Sequence, residues 1–274
     1  MPANIFPLLK VMLKKIKKIL RPWLLNLRRK YRVERHRKKY MAYGDLSAQQ
    51  VFTKIYEEGA WGKSTDPEQK FFSGSGSHDN AIIGPYLEAI QKVLSSFPKK
   101  PDVVDLGCGD FYAGSRVRSL CGAYTACDIV ESLINFNKEK YKSLNVDFRC
   151  LDITKDELPK GDIVFIKQVL QHLSNEQINR ALPKLISKYK YLVLAEHLPA
   201  LDSFTHNLEK PAGPGIRVAF DSGVVLTSPP FNLKVKGDIL LCEVAQGKGI
   251  IRTNLYTLDL SAESLDMVSE DKSI

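Results

Sequence analysis

The chain has 274 residues, of which 44% are hydrophobic and 26% are charged, and it contains five cysteines. This composition is that of a soluble globular protein, and the odd cysteine count does not suggest a disulfide framework. No two cysteines form a C-x-x-C pair, so the sequence gives no metal site and favours a reducing cytosol. The net charge of +9 is uneven, since residues 1–40 hold 14 lysines and arginines against one acid.

The basic residues form an N-terminal arm, predicted over 1–44. Apolar residues recur at helical spacing across 5–20 with lysines between them, which predicts an amphipathic helix. Pro22 is expected to break or restart this helix, because proline lacks the N–H that a helix interior needs. The arm has no apolar run near 18 residues and no signal-peptide cleavage site, so we expect neither a membrane span nor a secretory leader.

Three interpretations of residues 5–39 remain open. The segment lies on an anionic membrane surface with Trp23 at the interface, packs on its own domain or a partner subunit, or binds nucleic acid. We favour the membrane surface and consider nucleic acid unlikely, because a nucleic-acid tail does not need helical amphipathicity. The expected location is therefore the cytoplasm, with peripheral attachment at the inner membrane surface.

An N-terminal helical and lid segment is predicted over 45–100. Residues 45–60 are expected to form a helix capped by Asp45 or Ser47. A glycine- and serine-rich loop with aromatic residues follows over 61–77, and a second helix is expected over 78–97.

From Pro101 onward, short β-branched runs alternate with helical segments, which predicts a mostly parallel sheet with helices on both faces. This core is predicted over 101–260, before a loose acidic tail at 261–274. Strands are expected at 102–106, 123–128, 146–151, 162–167 and 191–196, and helices at 112–121, 130–142 and 174–189. Loop and strand are expected over 198–237, followed by an antiparallel hairpin of strands 238–245 and 249–258 at the sheet edge.

A glycine-containing loop, Asp105 to Asp110, follows the first of these strands and precedes a helix. Glycines there let the backbone approach a ligand closely, and the following helix start offers free N–H donors. A dinucleotide fingerprint needs a third glycine where Tyr112 stands, which disfavours a nicotinamide cofactor.

The sequence VVDLGCG, with an acid two residues before the first glycine, resembles motif I of class I methyltransferases. The resemblance implies S-adenosylmethionine as cofactor and a Rossmann-like fold, with a seven-stranded, mostly parallel sheet that carries the hairpin. Gly107, Cys108 and Gly109 would pass under the methionine part of the cofactor. Asp105 would steady the loop or the cofactor amine.

Four further residues are candidate cofactor contacts. Asp128 ends the second strand, where a carboxylate accepts hydrogen bonds from both ribose hydroxyls, and Ile129 follows it; a cap for the next helix is an alternative for Asp128. In the methyltransferase pattern, Asp152 accepts from the adenine amino group and Ile153 lies against the ring. For Asp152 an ordinary loop role stays open.

The segment after the fourth strand is similar to the V-L-x-H-L sequence of many small-molecule methyltransferases. Gln168 is a candidate cofactor contact there. His172 is a candidate proton acceptor during methyl transfer, and a purely structural role is the alternative. Glu196 and His197 end the fifth strand on the same side and are candidates for orienting a hydroxyl, or for structural roles.

Residues 228–232 read Ser-Pro-Pro-Phe-Asn and resemble a motif of enzymes that methylate base amino groups. In those enzymes the motif directly follows the fourth strand. Here it comes some 60 residues later, so we reject base methylation and expect a wall of the substrate site.

Over about residues 50–258 the chain resembles bacterial class I methyltransferases associated with surface-glycan or capsule gene sets. This implies O-methylation of a saccharide or saccharide-linked acceptor near the membrane surface, with Trp61 and Ser73 in a lid over the cofactor. For Trp61 a place in the local core under that loop is the alternative. A small-molecule or lipid N-methyltransferase is the second interpretation. A nucleic-acid-binding protein with an idle fold is a third.

Overall fold

The computed structural model describes residues 16–24, 26–28, 30–31, 34–35 and 46–259. The tail predicted at 261–274 lies outside these residues, as does Asp45. The chain divides into two units, Met1–Ala42 and Tyr43–Ile274. Among the described residues no helix is both long enough and apolar enough to cross a membrane.

The described residues of the first unit are helical and are called α1. The helix runs through Pro22 within 16–24, so the predicted break there is wrong. The proline ring fixes φ near the helical value, and a helix tolerates it at the loss of one backbone hydrogen bond. Large apolar side chains of α1 are exposed: Ile16, Ile19, Leu20, Trp23, Leu24 and Leu27.

The second unit is built on a seven-stranded sheet with the strand order β3-β2-β1-β4-β5-β9-β8. The first five strands pair in parallel, and β9 and β8 pair antiparallel at one edge, as the sequence predicts. The strands are β1 Val103–Leu106, β2 Tyr124–Asp128, β3 Asp147–Cys150, β4 Ile163–Lys167, β5 Tyr191–Pro199, β8 Val235–Gln246 and β9 Gly249–Leu258.

Helices cover both faces of this sheet. They are α2 Ala48–Glu58, α3 Ser75–His78, α4 Asn80–Ser95, α5 Tyr112–Val117, α6 Glu131–Lys140 and α7 Asn175–Lys188. Ser47 caps α2 with a capping box, which explains why this helix begins where it does. The short helix α3 lies inside the segment that the sequence analysis assigns to a loop, because Gly74 and the serines around it permit one helical turn.

The segment between β5 and β8 has little regular structure. It contains a two-residue parallel pair, β6 Thr205–His206 with β7 Ser222–Gly223, and a 3₁₀ turn over Arg217–Phe220. Strand β9 has the predicted bounds, while β5 and β8 are longer than the sequence indicates. Strand β5 continues to Pro199 through its pairing with β9.

The central strands β1, β2, β4 and β5 are buried on both faces, which is why they read as continuous apolar runs. Val104, Leu106 and Val164 face one apolar cluster, and Val103 and Ile163 face the other. Successive side chains along each of these strands therefore pack into opposite apolar clusters. Because β1, β2, β4 and β5 are parallel, their carboxyl ends lie at one edge of the sheet. Ligands of open α/β sheets bind at that edge.

Candidate functional site

A glycine loop leaves the carboxyl end of β1. Gly107 and Gly109 have φ of +78° and +56°, a backbone conformation that side chains disfavour. The backbone N–H groups of Gly107 and Cys108 donate to the carbonyl of Cys127, at 2.8 and 2.9 Å. A Cβ on Gly107 would meet Val169 Cγ2 at 2.3 Å. The loop is therefore held on β2, and only glycine fits it.

Asp128, at the end of β2, supports the same loop. Its Oδ2 accepts from the Gly109 N–H at 3.0 Å, and its Oδ1 accepts from the Val130 N–H at 3.1 Å. Burial raises the pKa of this carboxyl to about 6, so it is mostly ionised at neutral pH. Each oxygen keeps a lone pair for a further donor, so Asp128 fits a pair of ribose hydroxyls.

The lid segment is fastened to the glycine loop through Asp110. Ser73 N–H donates to Asp110 Oδ2 at 3.0 Å, and Asp110 N–H donates to Ser73 Oγ at 2.8 Å. A ring N–H of His78 donates to the same Oδ2 at 2.6 Å. Tyr56 Oη lies 3.0 Å from Ser73 Oγ and links the lid to α2.

Lys167 fastens the lid at a second place. Its ammonium donates to the Gly76 carbonyl, to Ser77 Oγ and to Gln168 Oε1, each at 3.0 Å. Burial lowers the pKa of this lysine to about 8. Gln168 has a φ of +57° and donates from its N–H to the Ala195 carbonyl at 2.7 Å, so its side chain is aimed at the lid.

His172 lies on a 3₁₀ turn after β4 and has both ring nitrogens engaged. Its Nδ1 donates to the Gly213 carbonyl at 3.2 Å, so Nε2 accepts from the Gln171 amide at 3.3 Å. Burial lowers the pKa of His172 to about 3. The Trp61 ring packs on it with centroids 4.9 Å apart. These contacts leave the ring of His172 without a free nitrogen lone pair for a substrate proton.

Glu196 and His197, near the end of β5, differ in their hydrogen-bond partners. Glu196 Oε1 accepts from the Leu170 N–H at 3.0 Å, while its buried Oε2 has no hydrogen-bond partner in the described part of the chain. Burial raises the pKa of Glu196 to about 8. His197 Nε2 donates to the Gln246 carbonyl at 3.0 Å and so ties β5 to the hairpin.

The remaining cofactor candidates lie around this edge. Asp105 Oδ2 accepts from the Tyr124 hydroxyl at 3.1 Å, and burial raises the pKa of Asp105 to about 7. Asp152 Oδ1 accepts from both the N–H and the hydroxyl of Thr154, as an ordinary loop aspartate does. Ile153 is buried in the adjoining apolar cluster, and Ile129 packs against it.

Sequence reasoning missed four residues: Asp110, Lys167, Lys210 and Arg217. The sequence marks Asp110 and Lys167, because Asp110 ends the glycine loop and Lys167 ends the strand that precedes the V-L-x-H-L segment. The last two lie in the irregular segment after β5, where no periodicity marks them. Both contact the turn around His172 through backbone carbonyls.

The described residues hold no group of three or more histidine, cysteine or acidic side chains suited to a metal ion. The residues present do fit an adenosyl cofactor. The glycine loop offers close approach, Asp128 has free lone pairs, and Trp61 Nε1 is a buried donor without a partner in the described chain.

Comparisons with known proteins agree with this geometry. Residues 103–190 match a family model described as a methyltransferase domain. A curated malonyl-[acyl-carrier protein] O-methyltransferase of Acetivibrio thermocellus is 29% identical over 108 residues, which are 38% of this chain. The match spans 36% of that protein's length, about a third.

Solved structures share the fold. A magnesium protoporphyrin IX methyltransferase from Synechocystis PCC 6803 with bound S-adenosylmethionine aligns with a TM-score of 0.52 and 12% identity, covering 78% of this chain and 98% of that one. The N-methyltransferase NodS from Bradyrhizobium japonicum WM9, in complex with S-adenosylhomocysteine, aligns with a TM-score of 0.54 and 12% identity, covering 76% and 100%. The fold is thus the Rossmann-like fold of class I methyltransferases.

Proposed function

We propose that this chain, whose domain is that of an S-adenosylmethionine-dependent methyltransferase, methylates an oxygen of a saccharide or saccharide-linked acceptor near a membrane surface. The observation that carries the proposal is the meeting of the glycine loop, Asp128 and Glu196 at one sheet edge beneath the lid. The saccharide itself rests on the resemblance to surface-glycan methyltransferases.

The cofactor supplies a methyl group on a sulfonium, whose positive charge is lost when the carbon–sulfur bond breaks. A new carbon–oxygen bond forms, and the acceptor hydroxyl loses its proton. Of the three candidate bases, Glu196 suits that proton best, because its Oε2 is without a partner in the described chain and, with a pKa of about 8, its ionised minority at neutral pH is a strong base. Both ring nitrogens of His172 are occupied, whereas His197 uses Nε2 to donate to the Gln246 carbonyl and has a pKa that burial lowers.

The lid supplies positioning and excludes water. Trp61, Ser73 and Gly76 bring it onto the loops after β1 and β4, where transfer takes place. Holding the two reactants in line accounts for up to roughly 7–11 kcal/mol of barrier lowering in reactions of this kind. We therefore assign the larger share of the rate to this enclosure and a smaller share, about 10²–10⁴-fold, to the base.

Titration calorimetry with S-adenosylhomocysteine tests the cofactor site. We expect saturable binding by the wild-type chain and its loss in Asp128→Ala. Glu139→Ala, an exposed acid on α6, is the matched control and should bind as the wild type does. A well-folded wild type that fails to bind would overturn the methyltransferase assignment.

A panel of acceptors tests whether the methyl group is transferred to oxygen or to nitrogen. Purified protein is incubated with methyl-labelled cofactor and with octyl glycosides, both neutral and acidic, or with octylamine. We expect label on a glycoside. Label on the amine alone would replace this proposal by the N-methyltransferase alternative.

The proposed attachment to a membrane surface is based on α1. Exposed Ile19 and Trp23 share one face of this helix. The basic residues beside that face are Lys17, Lys18 and Arg21. Each basic residue near an anionic surface adds about 1 kcal/mol. We expect sedimentation with vesicles that contain phosphatidylglycerol, and little with pure phosphatidylcholine. Trp23→Ser should weaken it. Binding to RNA with steep salt dependence, and none to vesicles, would contradict the membrane assignment.

A further inference from the structure

Two cations are buried beside the turn that carries His172. Lys210 is 4% exposed and Arg217 is 1% exposed. Neither has a carboxylate within ion-pair distance in the described part of the chain. A buried charge is costly unless it is paired, so this pair of cations needs an explanation.

The guanidinium of Arg217 is fully used by the protein. It donates to the carbonyls of Leu208, Leu170, Gln171 and Leu173 and to Asn175 Oδ1, at 2.8 to 3.4 Å. Five donors thus meet five acceptors. Arg217 therefore organises the turn after β4 and has no donor left for a ligand.

Lys210 differs in this respect. Its ammonium has three donors, and the described structure gives it one hydrogen bond, to the His172 carbonyl at 3.2 Å. Two donors are therefore available beside the turn where the methyl acceptor should lie. Trp61 Nε1, on the ring packed against His172, is a further buried donor without a described partner.

The acids nearby do not balance the two cations. Glu196 is buried, and its pKa of about 8 keeps most of it protonated at neutral pH. Glu209 is exposed, and its Oε2 accepts from the Asn175 N–H at 3.1 Å. Arg217 therefore carries a positive charge beside His172 that no described carboxylate pairs with. Lys210, whose pKa burial lowers to about 7, is about half protonated at neutral pH, and an anion bound to its spare donors would favour the charged ammonium.

We propose that Lys210 binds an anionic group of the methyl acceptor, so that the acceptor is an acidic saccharide bearing a carboxylate or phosphate. The inference rests on the proposed function, because it concerns the molecule that receives the methyl group. It assigns specificity to Lys210 and a supporting role to Arg217, which shapes the turn. Burial lowers the pKa of His172 to about 3, so its neutral ring adds no charge to this subsite.

The test uses the full-length chain saturated with S-adenosylhomocysteine and compares glucuronate, glucose 6-phosphate and glucose. A bound ligand raises the melting temperature, and Trp61 fluorescence reports its place when Trp23→Phe removes the other tryptophan. We expect a saturable response to at least one anion and none to glucose. The stronger of the two anions identifies the carboxylate or the phosphate.

Variants then show whether Lys210 is responsible for the binding of the anion. Lys210→Met should weaken anion binding tenfold or more, Lys210→Arg should retain it, and Lys234→Met, at an exposed site, should match the wild type. An anion response that survives Lys210→Met, or an equal response to glucose, would overturn the proposal. Should Lys210→Met melt without cooperativity, Lys210→Gln gives the same comparison.

The affinity for S-adenosylhomocysteine, measured in the same variants, separates the two proposals. Normal cofactor binding without any anion response rejects the acidic acceptor alone. Absent cofactor binding in the wild type rejects the proposed function. A tenfold loss of cofactor affinity in Lys210→Met would place Lys210 on the cofactor's own carboxylate and also overturn the acceptor subsite.

Discussion

Ser73 and Asp110 are joined by two hydrogen bonds that run in opposite directions, each backbone N–H donating to the other residue's side chain. The two residues are 37 positions apart in the chain, one in the lid and one directly after Gly109. Their pairing holds the lid on the glycine loop, so cofactor affinity should depend on it.

Ser73→Ala removes the oxygen that accepts from the Asp110 N–H. A neutral hydrogen bond contributes about 0.5–1.5 kcal/mol, so we expect S-adenosylhomocysteine to bind about 2- to 13-fold more weakly. Calorimetry measures this directly. Ser187→Ala, on an exposed part of α7, should leave the affinity unchanged. Equal affinities in both variants would show that the lid contributes nothing to cofactor binding.

Gly109→Ala should be more severe, because a Cβ there would lie 2.4 Å from Ser73 Oγ and φ is +56°. We expect loss of detectable cofactor binding and faster cleavage of the lid by protease. Gly84→Ala is the control, since a Cβ on Gly84 meets nothing within 4 Å. Intact cofactor binding in Gly109→Ala would contradict the close approach described here.

Glu196→Gln tests the base and its protonation. The folded-state pKa of Glu196 is raised from 4.5 to about 8, so the wild type loses stability as pH rises from 4.5 through 8. The glutamine variant lacks that titration, and urea unfolding at pH 5, 7 and 9 should show its relative stability rising with pH. Its turnover should fall about 10²–10⁴-fold while cofactor affinity stays. A pH-independent difference in stability would mean that the carboxyl is not buried as described.

Lys210→Met should stabilise the chain in the absence of an acidic ligand. The folded-state pKa of Lys210 is lowered from 10.5 to about 7, so the wild type loses stability as pH falls from 10.5 through 7. We expect the variant's advantage in melting temperature to be larger at pH 6 than at pH 10. A lysine kept at a cost to stability is what a binding residue would be. Destabilisation at pH 6 would instead assign Lys210 a purely structural role.

The cofactor side of the site was predictable because its signals are local. Gly107, Gly109 and Asp128 each sit at the end of a β-branched run, and parallel strands bring such ends together. The hairpin was predictable for the same reason, from two apolar runs around one short turn. In contrast, the pairing of Ser73 with Asp110 depends on the path of the lid, which no periodic pattern describes.

The acceptor side was less accessible to sequence reasoning. A motif located His172 correctly after β4, but its chemistry depends on Gly213, Lys210 and burial, all supplied by a distant irregular segment. Arg217 binds mostly backbone carbonyls, which every residue type offers, so nothing in the sequence marks its partners. The hydrogen-bond partners and burial of His172 and Arg217, and not their positions in the sequence, determine what their side chains can do.

Lys167 holds the lid at Gly76 while Asp110 holds it at Ser73. In the proposed function, both attachments have to open before S-adenosylhomocysteine can leave from beneath the lid. We expect this release to be slower than the transfer it follows, so rapid mixing should reveal a burst of product in the first turnover. The steady-state rate would then measure lid opening and release of S-adenosylhomocysteine, and not methyl transfer.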